Sequence, residues 1–142
     1  MIAMTEQEWR AFVQAGTRTG KLATVRKDGR PHVMPIWFLL DGDDVVFNTG
    51  AETVKGRNLR REGRAALCVD DDHPPFAFVA ITGPVELVED VAEVRRWATA
   101  IGERYMGPDR AEELGARNGV PGELLVRLRA ERVVAEAGVA ED

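Results

Sequence analysis

Short alternating stretches separated by tight turns constrain this chain more than any other feature. From Gly20 to Arg26 the residues alternate, with Leu22, Thr24 and Arg26 opposite Lys21, Ala23 and Val25. That period of two marks a strand with two unlike faces. Lys27-Asp28-Gly29-Arg30 follows. Asp-Gly is a strong hairpin signal, because glycine accepts the left-handed backbone that such turns need. Pro31 to Leu40 reads as the return strand. Pro35 lies inside it and cannot donate to a ladder, so it marks an edge, a bulge or the approach of another group. Asp41-Gly42-Asp43 is a second tight turn, and Asp44 to Asn48 is the third strand. Ala65 to Val69, Phe76 to Val88 (bent near Gly83-Pro84) and Glu123 to Ala137 complete six strands.

Helices interrupt this series. Thr5 to Ala15 opens with Thr5 and Glu8 at capping-box spacing, and Trp9, Phe12 and Val13 share one face. Thr53 to Arg61 is a short helix closed by Gly63. Val91 to Tyr105 places Val91, Val94, Ala98 and Ile101 on one side, and Pro108 to Arg117 starts with proline where a helix tolerates it. Hairpin-linked strands with helices inserted late predict an α+β domain on a small antiparallel barrel. The 142 residues suit a single domain, 1–142. The tail from Ala137 to Asp142 is expected to fray.

Composition removes several function classes. The lone cysteine, Cys68, excludes an internal disulfide and a Cys-rich metal cluster, and its alternation with Ala66 points it inward. There is no serine, hence no Ser-His-Asp triad, and neither G-x-x-x-x-G-K-[ST] nor a strand-linked G-x-G-x-x-G occurs. The acidic loop Asp70-Asp71-Asp72-His73 contains metal-ligand types, but consecutive aspartates seldom converge on one ion, so it reads as a solvated loop and no metal is expected. The net charge of −5 argues against nucleic acid or an anionic membrane as partner. The longest uncharged stretch, His73 to Val85, has 13 residues, against the roughly 20 apolar residues that span a bilayer. No apolar run of signal-peptide length opens the chain. A soluble, cytoplasmic protein is the expectation.

The charge is unevenly spread. Lys55 to Arg64 carries five basic residues against one acidic, net +4, leaving −9 on the rest of the chain. With Thr53 at the helix start, free backbone N–H groups, a hydroxyl and the Lys55 ammonium can converge on a phosphate. The alternative is a solvated basic helix face. Val33-Met34-Pro35-Ile36-Trp37-Phe38 can bed a flat heteroaromatic ring on backbone freed by the proline; the alternative is a core strand with a bulge. His32, just after Pro31, suits a packing or surface position.

Together these segments resemble a known family. Phe47-Asn48-Thr49, Thr53-Val54-Lys55, Asn58-Leu59-Arg60-Arg61 and Arg64-Ala65-Ala66-Leu67 resemble the phosphate-binding segment of the pyridoxamine-phosphate-oxidase-like split β-barrel superfamily. Gly20-Lys21-Leu22-Ala23-Thr24 and Gly29 to Phe38 resemble its first two strands. The similarity runs from about Gly20 to Glu86 and is closest to the short actinobacterial branch that uses the deazaflavin coenzyme F420. The resemblance implies a homodimer of six-stranded split barrels with peripheral helices and a cofactor at each interface site. It implies phosphate binding near Thr53, Val54 and Lys55, with Asn48 and Thr49 beside it. It lays the ring system along Val33, Met34, Pro35, Ile36 and Trp37. Asn58 belongs to the same segment, and Arg57, Arg60 and Arg61 would meet the acidic oligoglutamate tail. Phe76 and Phe78 of a second copy would wall the ring.

FMN-binding members usually carry Ser-Arg-Lys where this chain has Thr53-Val54-Lys55, and a +4 segment suits a polyanionic tail better than one phosphate. Both points favour F420 over FMN. The implied reaction is hydride transfer from the reduced deazaflavin C5 to an unsaturated small organic substrate, with the proton from water or from a nearby arginine or histidine, His32 being the candidate, and no catalytic side chain assigned. The alternatives are an FMN enzyme of the same fold and a carrier that binds flavin or deazaflavin without turnover. The helices from Val91 to Arg117 are expected to cover one end of the site, shaped by Trp97 and Tyr105.

Overall fold

The alternation from Gly20 is realised in the computed structural model, which describes residues 1–141; Asp142, the last residue of the expected domain and frayed tail, lies outside the described residues. Strand β1 is Ile2–Ala3, followed by helix α1 (Glu6–Gln14) and strands β2 (Gly20–Val25), β3 (Pro31–Ile36), β4 (Leu39–Asp41) and β5 (Asp44–Gly50). Helix α2 (Val54–Glu62), β6 (Arg64–Asp71), β7 (Ala77–Val88), α3 (Val91–Met106), α4 (Pro108–Asn118), β8 (Glu123–Arg129) and β9 (Arg132–Ala137) complete the order. Strand β2 buries Leu22 and Thr24 and exposes Lys21, Ala23 and Val25. Gly29 and Gly42 take φ of 89° and 59° in the two hairpin turns, as the turn chemistry requires. The capping box of α1 forms between Thr5 and Glu8, and Trp9 and Val13 are the buried face.

All pairings are antiparallel, along the path β3-β2-β6-β7-β8-β5-β4, with β9 joined to β7 and β1. The two ends of this path, β3 and β4, are separated in the chain by Trp37 and Phe38 alone. So short a link curls the sheet into a half-barrel, and the curled interior holds Leu22, Phe38, Phe47, Leu59, Leu67, Ile81 and Val126. Helix α3 packs on the outer side of β5 and β8, over Val46 and Leu125.

Strand β7 belongs to both halves of the curl. Phe78–Thr82 pairs with β9, while Val85–Val88 pairs with β8. The transfer occurs at Gly83, where an added Cβ would lie 1.9 Å from Arg129 O. Glycine there permits one backbone to pass against another. Gly83→Ala is therefore expected to cost about 3 kcal/mol, a fall in Tm of roughly 10 °C by thermal denaturation. An unchanged Tm would mean that the bend needs no glycine.

Among the described residues, nine strands stand in place of the expected six. The return strand splits at Trp37-Phe38, after Pro35 has removed one donor and because Phe38 finds its partners on α3. The final strand splits at Ala130-Glu131, where Ala130 N donates to Asp43 O at 2.8 Å and Glu131 N to Arg129 O at 2.8 Å. Strand β1 has only two residues and depends on its distant partner β9. Cys68 is also out of phase with the expectation: Ala65, Leu67 and Val69 point inward, and Cys68 is half-buried on the other face. Five consecutive apolar residues, Ala65 to Val69, carry no alternation from which to read that phase. The tail is held through Glu141, by Val139 N to Phe76 O at 3.0 Å and Ala140 N to Pro75 O at 2.9 Å.

Candidate functional site

The turn into α2 is built by two threonines. Thr53 Oγ accepts from Gly56 N at 3.1 Å and donates to Gly50 O at 2.8 Å. A hydroxyl has one proton, so in the 3.2 Å contact between Thr49 and Thr53 it is Thr49 that donates. Both hydroxyl protons are thus spent on the turn itself. The first-turn N–H groups of Val54 and Lys55 find no acceptor among the described residues. They present the positive end of the helix, and Lys55 adds its ammonium. Gly56 lets this turn sit directly on the preceding chain, because an added Cβ would lie 2.2 Å from Gly50 O.

Two cavities flank the turn. The smaller, about 290 Å³, is lined by Pro35, Ile36, Trp37, Asn48, Lys55, Ile101 and Asn118. Asn48 Nδ2 is buried there without a hydrogen-bond partner, a donor left for whatever occupies the space. Lys55 makes no ion pair among the described residues. Glu123 stands near it; burial raises the Glu123 carboxyl above its ordinary range while the Lys55 charge pulls it down. Ile101 and Asn118 come from α3 and α4, and no local pattern marked either as a site residue.

The larger cleft, about 620 Å³, lies between the β2–β3 turn and α2 and is lined by Arg26, Lys27, Asp28, Arg30, Val54, Arg57, Asn58 and Arg61. Five cations face one carboxylate there. Asn58, only 3% exposed, donates to Thr24 Oγ at 3.0 Å and accepts from Arg61 Nη2 at 2.9 Å. The same Arg61 nitrogen donates to Val25 O at 2.6 Å. This buried link ties α2 to β2 and turns Arg61 into the cleft.

The expected site residues are therefore sorted into groups. Pro35, Ile36, Trp37, Asn48 and Lys55 meet around the smaller cavity. Val54, Arg57, Asn58 and Arg61 meet around the cleft. Arg60 does neither and pairs with Glu89 at 2.6 Å. Residues 57 and 61 are one helical step of four apart and share a face, whereas residue 60 is rotated about 100° from residue 61. Val33 and Met34 are 63% and 43% exposed on the β3 edge, outside both cavities. Phe76, with φ of 67°, is exposed and Phe78 is half-buried, and neither lines either cavity. His32 lines neither cavity, and its Nδ1 is buried without a partner. Trp97 packs on Val46, Val94 and Leu125, away from the cavity. His73 is held by Asp71 at 2.9 Å on an exposed loop, and that carboxylate raises its pKa.

The profile of the pyridoxamine 5'-phosphate oxidase family matches residues 5–136, and the chain belongs to this family. It is 39% identical over 70 residues to a pyridoxine/pyridoxamine 5'-phosphate oxidase of Rhizobium etli, a match covering 49% of this chain and 34% of that enzyme. The matched stretch thus spans about a third of the relative's length. A conserved hypothetical protein of Mycobacterium tuberculosis superposes with a TM-score of 0.85 at 30% identity, covering 96% of this chain and 87% of the other. An F420 reductase superposes with a TM-score of 0.68 at 25% identity, covering 87% and 94%. The residues present fit a flavin-type cofactor: an Asn48 donor and a Lys55 ammonium without partners among the described residues line one small cavity with an aromatic wall, and the open N–H groups of the α2 turn lie beside it.

Proposed function

We propose that the protein is an F420-dependent reductase acting on an unsaturated small organic molecule. The observation that carries this reading is the pair of spaces at the first turn of α2, one ring-sized with Lys55 on its wall and one strongly cationic with Val54 on its wall. A single phosphate needs only the first. A cofactor with further carboxylates uses both, and the likeness to an F420 reductase supports the same choice. Lys55 and the N–H groups of Val54 and Lys55 hold the phosphate, and Asn48 donates to the ring system beside Trp37, Pro35 and Ile36. Arg26, Lys27, Arg30, Arg57 and Arg61 meet the acidic tail, so the β2–β3 turn replaces Arg60 in that role. When bound and reduced, the deazaflavin supplies a hydride to the substrate.

The active form is a homodimer. Val25, Val33, Met34 and Phe76 leave exposed apolar surface on one copy, and a second copy would cover it and bring Phe76 and Phe78 to the ring. The protein works in the cytoplasm in this reading; no helix among the described residues is long and apolar enough to cross a membrane. FMN is the second reading, favoured by the 39% identity to a pyridoxine/pyridoxamine 5'-phosphate oxidase.

Titration of cofactor-free protein with F420 and with FMN, each followed by its own fluorescence, tests the proposal. Selective binding of F420 is expected, and selective binding of FMN would replace it with the second reading. Arg26→Ala combined with Lys27→Ala should weaken F420 roughly tenfold, the value of one charge-assisted hydrogen bond, and leave FMN within about twofold. Equal losses for both cofactors would remove the cleft from the site.

A further inference from the structure

The break between β3 and β4 leaves the Phe38 N–H and C=O outside the sheet ladder, although its side chain is fully buried. Buried backbone groups need partners, and the last turn of α3 supplies them. Tyr105 Oη accepts from Phe38 N at 3.3 Å and donates to Arg18 O at 2.8 Å. The Arg104 guanidinium donates to Phe38 O at 2.6 Å, Val13 O at 2.8 Å and Gly16 O at 3.1 Å. It also lies 4.8 Å from the ring centroids of both Phe38 and Tyr105. Tyr105 is thereby gripped at its hydroxyl and over its ring. Its own ring stacks on Trp37, with centroids 5.0 Å apart and planes 4° from parallel. Trp37 is 41% exposed and lines the smaller cavity with Asn48 and Lys55. One face of the indole is covered by Tyr105, so the cavity meets its other face or its edge.

We infer that Tyr105 is a positioning residue, which acts through its stack to fix the Trp37 indole as the wall against which the bound ring system lies. The inference rests on the proposed function, because it takes a planar ring to be the occupant of this cavity. A half-exposed indole without its stack would sample several rotamers, and each binding event would then have to immobilise it. Parallel contact with Tyr105 removes that freedom before the ligand arrives. The hydroxyl bonds and Arg104 serve the stack rather than the ligand.

The test is a double-mutant cycle on the full chain, with F420 binding read by fluorescence and Tm read alongside. Tyr105→Leu should weaken F420 roughly fivefold, the size expected for one lost aromatic pair. Tyr105→Phe keeps the ring and should bind within about twofold of wild type, despite a lower Tm from its lost hydroxyl bonds. Trp37→Ala should weaken F420 by a similar factor, and Tyr105→Leu should then add no further loss, because coupled residues are not additive. A purely structural Tyr105 predicts instead that affinity falls with Tm in both Tyr105 variants, and equally with or without Trp37. That result, or unchanged binding in Tyr105→Leu, overturns the inference and leaves the proposed function standing. A wild-type protein that binds neither F420 nor FMN overturns both.

Discussion

Lys55→Ala is expected to weaken F420 and FMN alike, by roughly tenfold to a hundredfold, the range for a lost charge-assisted hydrogen bond. Lys55 is the one cation on the wall of the smaller cavity and has no competing ion pair among the described residues. Its loss also exposes the ligand phosphate to Glu123. Burial already raises that carboxyl and the Lys55 charge lowers it; without the lysine it moves further up. Below that raised pKa Glu123 is neutral and does not repel an anion, and above it the repulsion is complete. The Lys55→Ala variant should therefore bind better as pH falls through the Glu123 titration, and Glu123→Gln on the same background should flatten that profile. The lysine is half-buried on the first turn of α2, and alanine is the better helix former, so Tm should hold. Fluorescence titration from acid to neutral pH measures all of this. A loss below about threefold would separate Lys55 from the phosphate.

Gly56→Ala should destabilise the protein by about 3 kcal/mol, lowering Tm by roughly 10 °C, and should weaken cofactor binding in the molecules that remain folded. Glycine-to-alanine inside a helix ordinarily stabilises by about 1 kcal/mol, so the expected sign is reversed. The reason is the close approach of α2 to the turn before it. The new Cβ would lie 2.2 Å from Gly50 O and 3.1 Å from both Ala51 O and Thr53 Oγ. Two of these atoms are backbone, so relief requires α2 to move. Movement breaks the Thr53 cap and carries Lys55, Arg57 and Arg61 away from their cavities. Thermal denaturation with the F420 titration checks both effects. A raised Tm would show that the approach is looser than this geometry.

The basic segment was legible as a candidate anion site for a local reason. Thr53, Val54 and Lys55 are consecutive, and a capped helix start that offers N–H groups is complete within one turn. Trp37 and Pro35 were legible as candidates for the cavity wall because a proline inside a strand interrupts the ladder. Ile101 and Asn118 were not, since each is ordinary on its own helix and meets the cavity only when α3 and α4 fold over β5. The sequence offers Tyr105 as an aromatic of the long helix that shapes one end of the site, but its stack on Trp37 spans 68 positions of chain and leaves no periodic trace.

By itself the sequence determined what is finished within a few residues: the Thr5–Glu8 capping box, the glycine turns at Gly29 and Gly42, the Thr53 cap and the alternation of β2. Such signals are read locally because the atoms that satisfy one another are near neighbours in the chain. Tertiary structure alone decided where the long strands break, which face Cys68 occupies, and which cations share a cleft. Arg26 and Lys27 stand beside Arg57 and Arg61 because the buried Thr24–Asn58 bond docks α2 against β2. Arg60, in the same basic run, is carried to Glu89 by the turn of the helix. Charge can be counted along the chain, but the direction each charge faces is set by packing between elements distant in sequence.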